Sequence, residues 1–195
     1  MLYKLAHILR DKMGWLWNLI ECFNAMLFSM RYRKKLKAFA FSKIPEGYEI
    51  VAMRDIPTEK IVEFFNRQPK EAFSYFHPHG FDAKSIKRLQ GNMAFLAYVL
   101  IDKSNEKIAG YCFNRCFFHG QGFRGRMVDI DYRGKGLGTA MNKLLNDVGF
   151  GIGLRLFETV SKDNVASYRS ALSASHVKVV KEMSNNELYL EILHD

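Results

Sequence analysis

The segment DYRGKGLGTAM, Asp131–Met141, decides the reading of this chain. Gly134, Gly136 and Gly138 alternate with Lys135 and Leu137. Upstream, FRGRMVDID has the pattern of a strand; downstream, LGTAMNKLLNDVG puts Met141, Leu144, Leu145 and Val148 on one side of a helix. Glycines let a backbone come close to a ligand, and the first N–H groups of a helix have no intrahelical partner. Those donors and the positive end of the helix dipole favour a phosphate, and Arg133 and Lys135 add charge. The alternative is a basic turn with solvated side chains. A strand before and a helix after select the cradle.

Two common phosphate folds do not fit. A P-loop needs Gly-x-x-x-x-Gly-Lys-Ser/Thr, which is absent from this segment. A dinucleotide fingerprint needs Gly-x-Gly-x-x-Gly in a first βα unit. Here the glycine spacing differs, and three antiparallel-looking strands come first.

Working outward, residues 45–195 read, apart from one short early helix, as β-α-α-β-β-β-α-β-α-β-β, without repeats. The early part holds a strand in GYEIVAMRDI, a helix in PTEKIVEFFNRQ, a short helix in KEAFSYFHPHG and another in FDAKSIKRLQG. Asp82 is the expected N-cap of that last helix and Gly91 its stop. MAFLAYVLID, KIAGYCFNRCFF and FRGRMVDID form a hairpin series. After the glycine helix come a strand in GLRLFETVS, a helix in NVASYRSALSAS, and a closing hairpin of HVKVVKEM and ELYLEIL.

Residues 1–40 differ from the rest. MGWLWNLIECFNAMLFSM, 13–30, is strongly apolar, with Asp11, Gly14, Asn18, Glu21 and Asn24 recurring every three or four residues. That predicts a helix with a narrow polar stripe and a wide apolar face. It is too interrupted to span a bilayer and lacks a cleavage site of small residues. The basic run RYRKKLK follows. Such a helix docks on the domain or a second subunit, or lies on an anionic membrane.

The bulk numbers agree with one globular domain plus this extension. The chain has 195 residues, 48% hydrophobic and 25% charged. Its three cysteines, Cys22, Cys112 and Cys116, make no disulfide framework, which points to a reducing, cytoplasmic setting. Of the +9 net charge, +6 falls in residues 1–40, leaving +3 for the body. A nucleic-acid binder would carry its charge on the folded body, so no nucleic-acid partner is expected. Cys112 and Cys116 on one strand would lie roughly 13 Å apart, too far to share a metal with His119. His77 and His79 alone supply two ligands, so no metal is expected there either.

The match to Arg/Gln-x-x-Gly-x-Gly/Ala, made by Arg133 to Gly138 without a gap, resembles the signature of the GCN5-related N-acetyltransferase (GNAT) superfamily. The element order matches that family over about 150 residues, excluding the N-terminal helix, and Asn164 stands where the family has an Asn near the start of a later helix. The resemblance implies a single α/β (α+β) domain over 41–195, with a strongly twisted mixed sheet splayed into a V and flanked by helices. Acetyl-CoA would insert there as co-substrate. Its pyrophosphate would rest on Arg133, Gly134, Lys135, Gly136, Leu137, Gly138 and Thr139. Its pantetheine would pair with the backbone of Met127, Val128, Asp129 and Ile130, and Asn164 would complete the binding set. A primary amine would attack the thioester directly.

That chemistry needs a base for the amine, a donor for the oxyanion and help for the leaving thiolate. An N–H near Val128 or Asp129 is the expected oxyanion donor. For the thiolate, many members have a Tyr seven residues after the Asn, but that position is Ala171 here; Tyr168 is the nearby substitute. The base candidates are Asp129, on the strand where some members carry a Glu, and His77 and His79 in YFHPHGFD. The aromatic surroundings of that loop suggest a compact acceptor, a small molecule or amino sugar rather than a peptide. Two other readings remain open: an acyl-CoA sensor without catalysis, favoured by Ala171 and the missing Glu, and a protein acetyltransferase.

Overall fold

The computed structural model describes residues 14–37 and 45–194. The expectations for residues 1–13 and 38–44 lie outside those described. Among the described residues there are five α-helices and seven strands. Helix α1 spans Gly14–Lys37. Strand β1 (Tyr48–Ala52) leads into α2 (Thr58–Asn66) and α3 (Ala83–Gln90). The helix expected in KEAFSYF is a single 3-10 turn, Lys70–Phe73, opened by Pro69. Asp82 caps α3, accepting from the Ser85 N–H at 3.0 Å, as its position predicts.

The hairpin series is β2 (Phe95–Asp102), β3 (Ile108–Phe117) and β4 (Gln121–Val128). Then follow α4 (Leu137–Gly151), β5 (Arg155–Ser161), α5 (Val165–Leu172), β6 (Val177–Glu182) and β7 (Glu187–Ile192). The seven strands form one open mixed sheet in the order β1-β2-β3-β4-β5-β7-β6. Every pairing is antiparallel except β4 with β5.

Strand alternation divides the core between the two faces. On one face, Leu96, Tyr98 and Leu100 of β2 and Cys112 and Cys116 of β3 pack with Met141, Leu144, Leu145 and Val148 of α4. Phe28 and Tyr32 of α1 join this cluster. On the other face, Phe95, Ala97 and Val99 of β2 and Tyr111 and Phe113 of β3 meet Ile61, Phe64 and Phe65 of α2 and Ile86 and Leu89 of α3. The helices thus clamp the sheet from both sides and fix the position of β4.

Helix α1 is turned the opposite way from the simple amphipathic expectation. Its polar stripe faces the domain. Asn24 donates to the Cys116 carbonyl at 2.9 Å and accepts from the Phe118 N–H at 3.0 Å. Asn18 accepts from Arg88 at 3.0 Å, and Glu21 lies 3.6 Å from Arg115. Only farther along do apolar residues take over the inner side, with Phe28 and Tyr32 buried.

Candidate active site

Strands β4 and β5 pair over three rungs only: Gln121 with Arg155, Gly122 with Leu156, and Phe123 with Phe157. Beyond them, Arg124–Val128 and Glu158–Ser161 have no mutual pairing, so the sheet opens into a V. The ladder on the other side of β4 tells which backbone groups face this opening. Val128 pairs with Gly110 and Met127 with Tyr111, while the Asp129 N–H donates to the Ala109 carbonyl at 3.0 Å. Antiparallel pairing alternates inward and outward groups, so Met127 and Asp129 turn toward β3. Arg124, Arg126 and Val128 therefore direct their N–H and C=O groups to the open edge.

Helix α4 begins beside this edge. Gly136 is its N-cap, with φ +76°, and Gly134 also has φ +76°. A Cβ at either glycine would meet no atom within 4 Å. Glycine is needed there for the left-handed backbone, which L residues adopt at a cost of about 1–2 kcal/mol. Gly138 serves differently: a Cβ there would come 3.2 Å from Ser170 Oγ of α5, 3.8 Å from Val128 and 3.9 Å from Arg126 Nε. It lets α4 approach α5 and β4 closely. The N–H groups of Leu137, Gly138 and Thr139 are in the first turn and lack intrahelical acceptors. Arg133 and Lys135 are exposed beside them, and the Lys135 ammonium stacks 4.7 Å from the Tyr132 ring centre.

The inner end of the V is occupied by a buried polar network. Arg124 and Glu158, the first residues past the paired rungs, form an ion pair at 2.7 Å with both side chains almost wholly buried. Arg124 also donates to Asn146 Oδ1 of α4. Arg126 reaches the same Glu158 oxygen at 3.4 Å and donates to the Ser167 carbonyl at 2.8 Å and to Ser167 Oγ at 3.1 Å. Two guanidinium groups thus share one carboxylate. Arg124 Nη2, Glu158 Oε1 and Asn142 Oδ1 are buried without a hydrogen-bond partner among the described residues. Unpartnered polar atoms are rare in protein interiors.

Several residues expected to act in catalysis have other occupations. Asp129 leaves the strand and caps the 3-10 turn Ile130–Tyr132. Its Oδ2 accepts from Arg67 at 2.8 Å and Gln68 at 2.6 Å, and its Oδ1 from the Asp131 N–H at 3.0 Å. Burial alone would raise its pKa, but the bonds from Gln68, Arg67 and the Asp131 N–H outweigh it and hold the carboxyl below its usual range. A carboxylate so engaged is a poor base. The Ile130 N–H donates to Gln68 Oε1 at 3.1 Å. Of the four backbone positions expected to face pantetheine, only Val128 lies on the open edge. Arg126, which the sequence did not single out, shares that edge.

His79 is held among aromatic rings. Its Nδ1 donates to the Gly80 carbonyl at 2.8 Å, which leaves Nε2 to accept from the Tyr111 hydroxyl at 2.9 Å. The rings of Phe65, Phe81, Phe95, Tyr111 and Phe113 stand around it. Burial, only partly offset by the Gly80 hydrogen bond, lowers its pKa to about 4. It sits over β2 and β3. His77 is exposed. Asn164 caps α5, accepting from the Ser167 N–H at 3.1 Å. Tyr168 is half-buried on the same helix, and Ala171 is fully buried. Among the described residues, no group of three His, Cys, Asp or Glu side chains is placed to hold a metal ion.

The fold has counterparts among solved structures. The GNAT domain of S. lividans PAT superposes with a TM-score of 0.60 at 14% identity, over 77% of this chain and 99% of that one. The fold is the GNAT fold. The ribosomal-protein-S5-alanine acetyltransferase from Vibrio fischeri matches with a TM-score of 0.59 at 18% identity, over 78% of this chain and 95% of that one. The aminoglycoside acetyltransferase AAC(6')-Ib, in complex with coenzyme A and kanamycin, matches with a TM-score of 0.54 at 12% identity, over 74% and 93% of the two chains. No family model and no curated protein matches the sequence.

Proposed function

We propose that the chain is an acyl-CoA-dependent N-acyltransferase, with acetyl-CoA as donor and a small-molecule amine as acceptor. The reading is carried by one observation: β4 parts from β5 after three rungs, beside a helix N-terminus entered through two left-handed glycines. The N–H groups of Leu137, Gly138 and Thr139 would bind the pyrophosphate, with Arg133 and Lys135 adding charge. Pantetheine would hydrogen-bond to the open edge of β4 at Val128 and Arg126, like an added strand. The carbonyl oxygen of the thioester would take a backbone N–H of that edge as its oxyanion donor.

The acceptor nitrogen then attacks the thioester carbon, the C–S bond breaks, and the nitrogen loses its proton to solvent. Asp129 and His79 are already engaged, so water, or the exposed His77, is the better route for that proton. The sulfur leaves as thiolate beside the Arg126 guanidinium, which would supply the positive charge where Ala171 offers no acid. A nearby cation favours the thiolate over the thiol, so it can assist departure of the sulfur without donating a proton. The solved counterparts act on acceptors as different as a ribosomal protein and an aminoglycoside, so the preference for a small amine rests on this chain's own aromatic YFHPHGF loop.

The engaged Asp129 and His79 also favour a second reading, an acyl-CoA sensor. Thiol release from acetyl-CoA across a panel of amines, measured beside direct CoA binding, separates the two. Amine-dependent release is the expected result. Tight CoA binding with no release on any amine favours the sensor, and absence of CoA binding removes both.

A further inference from the structure

Helix α1 is built inside out. The polar residues of its first half, Asn18, Glu21 and Asn24, anchor it to the domain. Its large apolar residues face away: Trp15 is 68% exposed, Leu19 59%, Phe23 58%, Met26 50% and Met30 78%. Spacings of three and four residues put these five on one side of the helix. At 1.5 Å per residue they form a stripe roughly 22 Å long. Arg33 and Lys34, both exposed, continue it. Monomeric soluble proteins rarely leave so continuous an apolar surface uncovered.

We propose that this face of α1 lies in the plane of an anionic lipid surface. The charge identifies the occupant. Residues 1–40 carry eight Lys and Arg against Asp11 and Glu21, net +6, and the rest of the chain is net positive too. Of the two acids, Glu21 is turned inward against Arg115. A second copy laid stripe to stripe would bring like charge against like. An anionic leaflet attracts the same cations while the acyl region takes the apolar side chains. No helix of the described residues is long and apolar enough to cross a membrane, which fits a helix lying in the interface rather than spanning it. The inner face is already committed to Cys116, Phe118 and the Ile152 carbonyl, to which Lys35 donates at 3.2 Å. Binding would therefore hold the whole domain at the surface without unfolding any contact.

The test uses the full chain with vesicles of phosphatidylcholine, alone or mixed with phosphatidylglycerol. Flotation is expected with the mixed vesicles, weakening as salt rises, and little with phosphatidylcholine alone. Phe23→Glu with Met30→Glu should lower partition by at least about tenfold, because two immersed apolar groups become charged. Both sites face solvent, so the melting temperature of that variant should not change. In a Trp17→Phe background, Trp15 emission should shift to the blue only when mixed vesicles are added. Absence of flotation, equal flotation on both vesicles, or Trp15 emission already blue-shifted without lipid would overturn the proposal. So would a dimer in solution that Phe23→Glu/Met30→Glu converts to monomer.

Discussion

Arg124 and Glu158 are the first residues of β4 and β5 beyond the last paired rung, and their side chains meet across the opening at 2.7 Å. The place where backbone hydrogen bonding between the two strands ends is where a buried ion pair begins. Arg126 adds a second cation to the same carboxylate oxygen. The parted strands are therefore still tied together, through side chains, at the inner end of the V.

This arrangement predicts an order of stabilities. Glu158→Leu leaves two buried guanidinium groups without a carboxylate and should cost about 3–5 kcal/mol, the usual penalty for orphaning a buried charge. Arg124→Met should cost less, because Glu158 keeps Arg126. Urea unfolding of the two variants measures the order directly. A larger loss for Arg124→Met would show that Arg126 does not share the carboxylate.

The position of Arg126 predicts the acidity of bound CoA. Its guanidinium reaches Glu158 and links β4 to Ser167 of α5, at the inner end of the V toward which the sulfur end of pantetheine would run. In the complex, the CoA thiol should titrate below the value it has in free CoA. In Arg126→Gln it should return toward that value with little change in CoA affinity. Thiolate absorbance across a pH series reads this without knowledge of the acceptor. An unchanged thiol pKa in the variant would remove Arg126 from the reaction while leaving CoA binding standing.

His79 predicts a pH dependence of stability. Its pKa is about 4 in the folded chain and near 6.5 when unfolded. Between those values the unfolded chain binds more protons, so stability rises with pH through that window. The contribution is complete above pH 6.5 and is lost as pH falls toward 4, by at most about 3 kcal/mol. Denaturant unfolding at several pH values should show this slope in the wild type and a flatter one in His79→Gln. Equal slopes would mean that the imidazole is open to water.

The legibility of the sequence follows from what kind of information each feature carries. The glycine cradle is local: three glycines between a strand pattern and a helix pattern state their own geometry, and the element order followed from the same periodicities. The orientation of α1 is not local. A helix with apolar residues on nearly every side has no intrinsic inner face. Only the positions of Cys116, Phe118, Arg88 and Arg115 decide that Asn24, Asn18 and Glu21 turn inward. His79 looked available because its sequence neighbours say nothing of Tyr111, 32 residues away. Asp129 looked like a base for the same reason: Arg67 and Gln68 come from the end of α2. The polar network did leave a trace, in the two arginines alternating in FRGR and the lone carboxylate within RLFETVS. Neither trace shows that the two would meet.

Titration of CoA into the full chain and into Gly136→Val tests the central claim most directly. The wild type should bind one CoA per chain. Gly136→Val puts a β-branched residue at φ +76° in otherwise open space, so it should distort the cradle at a local cost of about 1–2 kcal/mol. CoA affinity should fall at least about tenfold while the fold persists, since the first-turn N–H groups no longer converge on the pyrophosphate. A wild-type chain that binds no CoA, or a variant that binds it equally well, would contradict the account.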